Sequence, residues 1–130
     1  MSERYDNCFV CGAANPIGLR LEFSFTGDGA SQAELILPDH FEGYPNVIHG
    51  GIVSTLLDEV MAKAVLHSGK VAFTARLQVS FRRPVPANTT LHLEGRIVSS
   101  KTRTIITAAR LYDASGDYAE AEGVFIVPKS

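Results

Sequence analysis

The chain has 130 residues, of which 45% are hydrophobic and 20% are charged, and its formal net charge is −2. This length is typical of one ordinary domain, residues 1–130, with enough apolar residues to fill a core. The charge excludes the basic footprint of a nucleic-acid-binding protein, so no nucleic-acid partner is expected. The longest apolar runs are shorter than the roughly 20 residues of a membrane-spanning helix, so no membrane partner is expected either.

The N-terminal segment is turn-rich. Residues 1–6 lack the apolar stretch of a secretory signal peptide, so we expect a cytoplasmic protein whose thiols stay reduced. Residues 1–18 form a lead without regular structure, because Gly12, Asn15, Pro16 and Gly18 interrupt any periodic pattern.

Apolar periodicity then predicts six strands and one helix. Alternation of apolar and polar residues indicates strands at 19–25, 31–37, 71–83, 90–99, 103–112 and 118–127. A loop at 38–46 precedes the helix, which runs from His49 to His67 and is stopped by Gly69. One long helix among antiparallel strands is an α+β arrangement.

The helix is apolar over more than half of its circumference, so we expect it to be more deeply buried than a surface helix. Part of this burial is expected from a second subunit. Ala119, Ala121 and Gly123 share one face of the last strand, where their small side chains allow the helix to lie close to the sheet.

His49-Gly50-Gly51 stands at the predicted start of the helix. A helix N-terminus carries unpaired N–H groups and a partial positive charge, and two glycines leave that backbone open to a ligand oxygen. His49 can orient the loop through a hydrogen bond of its ring. The alternative is that the two glycines only allow a tight start of the helix beneath a packed strand.

Asp58 lies inside the same helix, where an aspartate without a partner is unfavourable. Its neighbour Glu59 has a simple explanation as a surface ion pair with Lys63, four residues on. The helical wheel places Asp58 and Glu59 at opposite edges of the apolar arc and does not choose between them; a solvated helix flank is the alternative for Asp58.

Gly50 and Asp58 are separated by about 12 Å along a helix. One carbonyl cannot contact both within a chain, so joint action requires Asp58 from a second copy, as in a two-fold dimer.

The remaining motifs have ordinary alternatives. Cys8 and Cys11 form a CxxC pair; reduced structural cysteines, a metal site and a redox pair are all open, although two cysteines alone do not make a four-ligand zinc site and no nearby residue has suitable spacing. Arg82, Arg83, Lys101 and Arg103 lie near strand ends, either as contacts for the phosphates of coenzyme A or as solvated charge. We interpret His40, His67 and His92 as structural or surface residues.

Three segments resemble one known family. They are the run His49-Gly50-Gly51-Ile52-Val53-Ser54-Thr55-Leu56-Leu57-Asp58-Glu59, the strand residues 73–84, and the leader with Asn7-Cys8-Phe9-Val10-Cys11-Gly12 followed by Asn15-Pro16-Ile17-Gly18-Leu19. Together they resemble the hotdog-fold acyl-CoA thioesterases, in particular the phenylacetate-pathway type and the 4-hydroxybenzoyl-CoA thioesterase superfamily.

The resemblance implies a hotdog fold, in which a curved antiparallel sheet of about six strands wraps one helix. It also implies homodimers, which pair into tetramers in some members, with active sites at the dimer interface and no cofactor. In such families the N–H at the Gly50 position polarises the thioester carbonyl, the carboxylate at the Asp58 position of the partner subunit acts as base or nucleophile, and the hydroxyl at the Thr74 position holds water or the carboxylate.

The resemblance is weaker in the loop before the helix. Related enzymes carry an amide a little before His-Gly-Gly, and here the nearby amide is Asn46, three residues before His49. We expect the loop 41–48, with Asn46, Val47 and Ile48, to shape the acyl end of the pocket, and Arg82 and Arg83 to contact the substrate.

Hydrolysis of an acyl-CoA thioester is therefore the leading hypothesis. The alternatives are a non-catalytic acyl-CoA-binding or sensing protein and an enoyl-CoA hydratase or dehydratase. The last typically needs a histidine paired with an acid, and the histidine nearest the predicted site is His49. The acyl group itself is not specified by the sequence.

Overall fold

The computed structural model describes residues 6–129, so the first five residues of the predicted lead lie outside the described part. The helix is α1 (Gly50–His67). The strands are β1 (Ser24–Phe25), β2 (Ala30–Ile36), β3 (Phe73–Phe81), β4 (Thr90–Ser100), β5 (Thr104–Asp113) and β6 (Gly116–Ile126), and a short 3-10 helix occupies Asp39–Phe41.

The six strands form one antiparallel sheet in the order β1-β2-β4-β5-β6-β3. The sheet curves around α1, which confirms the predicted α+β class and the hotdog fold. As expected, the helix is deeply buried; its buried side chains are Val53, Leu56, Leu57, Val60, Met61, Ala64 and Val65.

Small residues allow this close packing at two strands. On β6, Ala119 and Ala121 are buried, and a Cβ placed on Gly123 would lie 3.1 Å from the terminal methyl of Met61, which agrees with the predicted small face. On β4, a Cβ on Gly95 would lie 2.7 Å from the carbonyl oxygen of Val60. The helix and the sheet therefore pack closely at Gly95 and Gly123, where the strand has no side chain.

The first predicted strand is wrong over most of its length. Only Ser24–Phe25 pairs with β2, whereas Leu19 and Leu21 donate backbone hydrogen bonds of 2.8 Å to Phe9 and Val10 of the lead. Arg20 has φ 56, and this left-handed conformation interrupts an extended strand. The apolar side chains Leu19, Leu21 and Phe23 pack against the hydrophobic core although most of this segment forms no strand.

β3 is an edge strand that pairs with β6 on one side, and no described residue pairs with its other side. An irregularity between Thr74 and Arg76 shifts the register, so that Thr74 lies opposite Phe125 and Leu77 opposite Gly123. Because Phe125 and Gly123 face the helix, Thr74 and Leu77 do so too. Strict alternation would have turned Thr74 to the outer face.

In the described part of the chain, no helix combines the length and the apolar character required to cross a membrane.

Candidate active site at the start of the helix

His49 caps the N-terminus of α1. Its backbone is extended, with φ −57 and ψ 133, and its ring Nδ1 accepts a hydrogen bond of 2.9 Å from the Gly51 N–H. The hydrogen bond that was expected of the ring is present. It also means that the Gly51 N–H is already used, so the two glycines are not equivalent as donors to a ligand.

Gly50 is the first residue of the helix, and its N–H has no acceptor among the described residues. A Cβ built on Gly50 would meet only the ring of Phe81, at 3.5 Å, an ordinary contact distance. Packing within the chain therefore does not require glycine here. The open N–H, at the positive end of the helix dipole, is suited to a carbonyl oxygen that gains negative charge.

Gly50 lines a groove of about 740 Å³, which we call the helix-start groove. Its walls come from the loop before the helix, the first helical turn and the end of β3. They include Tyr44, Val47, Ile48, His49, Gly50, Val53, Phe81, Arg82, Arg83 and Val85. The structure thus brings Val47, Ile48, Arg82 and Arg83 together with Gly50, whereas Phe81 and Val53 were not identified from the sequence.

The two arginines of the groove are engaged differently. Arg83 stacks over Tyr118, 3.9 Å from the ring centroid, and its guanidinium donates to Ser115 Oγ and to the Gly116 carbonyl, so its donors serve the β5–β6 turn. Arg82 is exposed and pairs with Glu120 at 2.9 Å, which raises the pKa of Arg82. Arg82 is the more accessible of the two to an anionic ligand.

Lys101 and Arg103 lie at the opposite end of the sheet from Arg82. They belong to the β4–β5 turn next to Thr104, which pairs with Ile126 opposite Phe73, whereas Arg82 follows Phe81 at the far end of β3. The four basic residues therefore do not form one cluster within the chain.

Asn46 does not line the helix-start groove. It has φ 64, and its N–H donates a 2.8 Å hydrogen bond to Glu42 Oε2, so it forms a tight turn in the loop. Positive φ is tolerated by asparagine better than by most residues, which gives Asn46 a conformational reason to be present. Its role as a substrate contact stays a prediction.

Asp58 lies away from the groove, on the flank of α1 that faces β3. Its Oδ1 accepts a 2.8 Å hydrogen bond from Thr74 Oγ1, so the structure joins these two predicted residues directly. The helix is continuous from Gly50 to His67, and the eight-residue separation of Gly50 and Asp58 keeps them about 12 Å apart along its axis. The candidate site residues therefore fall into two groups within one chain.

Glu59 lies on the other flank of the helix, and the expected surface ion pair needs correction. Lys63 Nζ and Glu59 Oε2 are 3.7 Å apart, but their side chains are only 13% and 18% exposed. The N-terminal lead covers them, and Cys8 Sγ lies 3.7 Å from the same Glu59 oxygen. The spacing along the helix predicts the ion pair of Glu59 and Lys63, but it does not show that the N-terminal lead buries the pair.

Residues 45–120, more than half of the chain, match the profile of the thioesterase superfamily. The chain belongs to this superfamily.

Similar proteins of known name include the acyl-coenzyme A thioesterases THEM4 of Mus musculus, 26% identical over 67% of this chain, and THEM5 of Homo sapiens, 25% identical over the same share. The aligned regions span 38% and 36% of the lengths of these two relatives. The chain is also similar to the 3-hydroxyacyl-[acyl-carrier-protein] dehydratase FabZ of Desulforamulus reducens, 32% identical over 72% of this chain and 69% of FabZ.

Solved structures share the fold. The thioesterase superfamily protein RHA08564 superposes with a TM-score of 0.85 and 31% identity, over 90% of this chain and 61% of that one. A Streptococcus mutans protein bound to acetyl-CoA has a TM-score of 0.78 and 19% identity, over 85% and 90% of the two chains. A hypothetical thioesterase protein of Streptococcus pneumoniae with coenzyme A has a TM-score of 0.78 and 18% identity, over 85% of this chain and 87% of that one.

Proposed function

We propose that this protein is a homodimeric acyl-CoA thioesterase in which the Gly50 N–H of one protomer and Asp58 of the partner subunit act on one thioester. The observation that carries this proposal is the open Gly50 N–H at the helix-start groove, about 12 Å along the helix from a carboxylate held at an unpaired sheet edge. Superfamily membership and the similarity to named acyl-CoA thioesterases support the substrate class.

The edge of β3 supports the dimer. It is nine residues long and carries exposed apolar side chains, with Phe73 65%, Leu77 37% and Phe81 53% exposed. A long apolar edge of this kind is a template for pairing with another strand. Two copies of β3 paired antiparallel about Leu77, the middle residue, would set the Phe81 end of one protomer against the Phe73 end of the other.

This pairing would bring the two groups of site residues together. Gly50 lies against Phe81, and Asp58 is bonded to Thr74 one residue from Phe73. The Gly50 N–H would then face the carboxylate of Asp58 of the partner subunit. A tetramer formed as a dimer of dimers stays a prediction, as does a cytoplasmic location.

The proposed chemistry needs no metal at these residues. The Gly50 N–H stabilises the negative charge on the carbonyl oxygen while Asp58 of the partner subunit accepts a proton from water. The water oxygen bonds to the carbonyl carbon, the carbon–sulfur bond breaks, and the sulfur of coenzyme A leaves with a proton. Direct attack by the carboxylate is the alternative path to the same products.

Complementation between two inactive variants tests the shared site. Asp58→Asn removes the carboxylate. Gly50→Pro removes the N–H without breaking the helix, because proline fits the first helical position and His49 already has the extended backbone that precedes proline. Each variant alone is expected to release free thiol from acyl-CoA at least about 100-fold more slowly than wild type.

Co-expressed at equal levels, the two variants should recover about one quarter of wild-type activity, because about half of the dimers are mixed and each mixed dimer has one intact site of two. A site built within one chain would give no recovery, and this result would overturn the proposal. Gly50→Ala, which keeps the N–H and adds a methyl group in ordinary contact with Phe81, and Asp28→Asn in an exposed turn are the matched controls.

A dehydratase is the second candidate, and the similarity to FabZ favours it. Against it, His49 Nδ1 is used by the Gly51 N–H, and His49 forms no ion pair with a carboxylate among residues 6–129. Loss of ultraviolet absorbance from an enoyl-CoA without thiol release would establish the dehydratase; thiol release without hydration would exclude it.

A further inference from the structure

The CxxC pair and the helix residue Glu59 meet on the flank of α1 opposite Asp58. Cys8 Sγ, Cys11 Sγ and a carboxylate oxygen of Glu59 all lie within 4.8 Å of one another. Neither the groove nor the Asp58–Thr74 pair uses them. From the sequence, two cysteines lacked further ligands; the fold supplies a third ligand that is 48 residues away from Cys11 in the chain.

The backbone of the lead holds both sulfurs on one side of a turn. The Cys11 N–H points to Cys8 Sγ at 3.5 Å, and the Gly12 N–H donates a 2.9 Å hydrogen bond to the Cys8 carbonyl. A Cβ on Gly12 would lie 2.3 Å from the Asp6 carbonyl oxygen and 2.4 Å from the Cys8 nitrogen, so the turn requires glycine after the second cysteine. An N–H directed at a sulfur also stabilises a thiolate there.

We propose that Cys8, Cys11 and Glu59 bind one Zn²⁺ ion with tetrahedral geometry, the fourth position being taken by water. Bond lengths of about 2.3 Å to sulfur and 2.1 Å to oxygen at tetrahedral angles require sulfur and oxygen about 3.6 Å apart. Cys8 Sγ and Glu59 Oε2 are 3.7 Å apart. Three protein ligands and one water form a known type of zinc site.

The charges around the site also balance. Two thiolates, one carboxylate and Zn²⁺ sum to −1, and the ammonium of Lys63, 3.7 Å from Glu59 Oε2, brings the cluster to neutrality. On binding, the two thiols release two protons, two zinc–sulfur bonds and one zinc–oxygen bond form, and nothing is oxidised. Before binding, burial raises the pKa of the Cys11 thiol to about 11, so this sulfur is protonated and uncharged.

The ion has a route from solvent. Cys11 and Lys63 line a cavity of about 690 Å³ between the lead, β1 and the end of α1. Through Glu59 a bound ion would fasten the lead to the helix, so its removal should lower the melting temperature of the whole domain.

Cobalt provides the direct test, because Co²⁺ bound by thiolates absorbs in the near ultraviolet through sulfur-to-metal charge transfer. The full chain is stripped with a chelator under reducing conditions and titrated with Co²⁺, then with Zn²⁺ against a chromophoric chelator. We expect one Co²⁺ per chain, the charge-transfer band, displacement by Zn²⁺ and a higher melting temperature with the metal.

Variants assign the ligands. Cys11→Ser should weaken the charge-transfer band, and replacement of both cysteines by serine should abolish it. Glu59→Gln, which keeps both sulfurs and the shape of the side chain, should weaken Zn²⁺ binding by at least about tenfold. Glu34→Gln on the exposed face of β2 is the matched control and should bind like wild type. Three results would each overturn the proposal. The folded wild-type protein shows no charge-transfer band, Cys8 and Cys11 form a disulfide with each other even under reducing conditions, or Glu59→Gln binds Zn²⁺ with wild-type affinity.

Discussion

Thr74 Oγ1 donates a 2.8 Å hydrogen bond to Asp58 Oδ1, and this bond connects the buried helix to the exposed edge of the sheet. It exists because the irregularity after Thr74 turns this residue toward the helix, against the alternation of the rest of β3. A carboxylate held in one orientation can meet a water molecule or a carbonyl without first losing side-chain freedom.

The first prediction concerns this bond. Thr74→Val removes the hydroxyl and keeps the shape of the side chain, so kcat for thiol release should fall about tenfold while KM stays within about twofold, since a hydrogen bond to a charged group contributes about 1.5–3 kcal/mol and this one is partly exposed to solvent. Steady-state kinetics with a panel of acyl-CoAs provide the measurement. Thr74→Ser should retain most of the wild-type kcat. If Thr74→Val and Thr74→Ser had the same kcat, the hydroxyl would have no part in the reaction.

The second prediction concerns the edge of β3. Leu77→Lys places a charge in the middle of the exposed apolar strand, and lysine on an edge strand opposes pairing. We expect the variant to be monomeric in sedimentation analysis and to lose thioesterase activity, because neither half of the site is then completed by a partner. Ile36→Lys, at a residue that is 59% exposed on β2, is the control and should leave both the dimer and the activity intact. An active monomer of Leu77→Lys would contradict the shared site.

Much of the fold was predictable because local periodicity dictates it. The helix was predicted from His49 to His67 and runs from Gly50 to His67, with His49 as its cap. The strands β2 to β6 were found within a few residues of the predicted bounds. The strand predicted at 19–25 was wrong over most of its length because Leu19, Leu21 and Phe23 pack against the core from an unpaired segment, and a period of two does not distinguish such a segment from a paired strand.

The sequence could not reveal contacts between residues distant in the chain. The helical wheel did not distinguish Asp58 from Glu59 as the candidate site carboxylate. The structure separates them, because Asp58 is hydrogen-bonded to Thr74 and Glu59 lies beside Cys8. Similarly, the sequence shows Gly95 only as one residue of an alternating strand, and its close contact with the helix backbone at Val60 is visible only in the structure.

The third prediction concerns Asp113, which organises the β5–β6 turn beside the helix-start groove. Hydrogen bonds from the hydroxyls of Ser115 and Tyr118 lower the pKa of Asp113 to about 2, and Arg83 adds to the shift. Because the pKa in the folded state lies below the unfolded value of about 3.9, the charged form stabilises the fold above pH 4, and this contribution disappears as the pH falls toward 2.

Asp113→Asn should therefore melt at a lower temperature than wild type at pH 7, and the difference should shrink between about pH 4 and pH 2. Thermal unfolding followed by circular dichroism across this range measures it. Glu122→Gln on an exposed position of β6 controls for the loss of one negative charge. A difference that stays constant down to pH 2 would mean that Asp113 stabilises the turn by its shape rather than by its charge.

The fourth prediction concerns the closest approach of helix and sheet. Gly95→Ala would place a Cβ 2.7 Å from the Val60 carbonyl oxygen and 2.8 Å from its carbon, and these backbone atoms cannot rotate away. The helix must shift from the sheet, which should lower the free energy of unfolding by about 1–3 kcal/mol. Chemical denaturation, fitted with one denaturant m-value for the wild type and the variant, measures the change in the free energy of unfolding.

Gly27→Ala is the matched control for Gly95→Ala, since a Cβ at Gly27 meets nothing within 4 Å and its φ is not positive. It should leave stability unchanged or raise it by up to about 1 kcal/mol, because alanine restricts the unfolded chain. If the helix moves at Gly95, the first turn moves with it, so the activity of Gly95→Ala should fall further than its folded fraction explains. Full activity per folded molecule would show that the position of Gly50 tolerates a displaced helix.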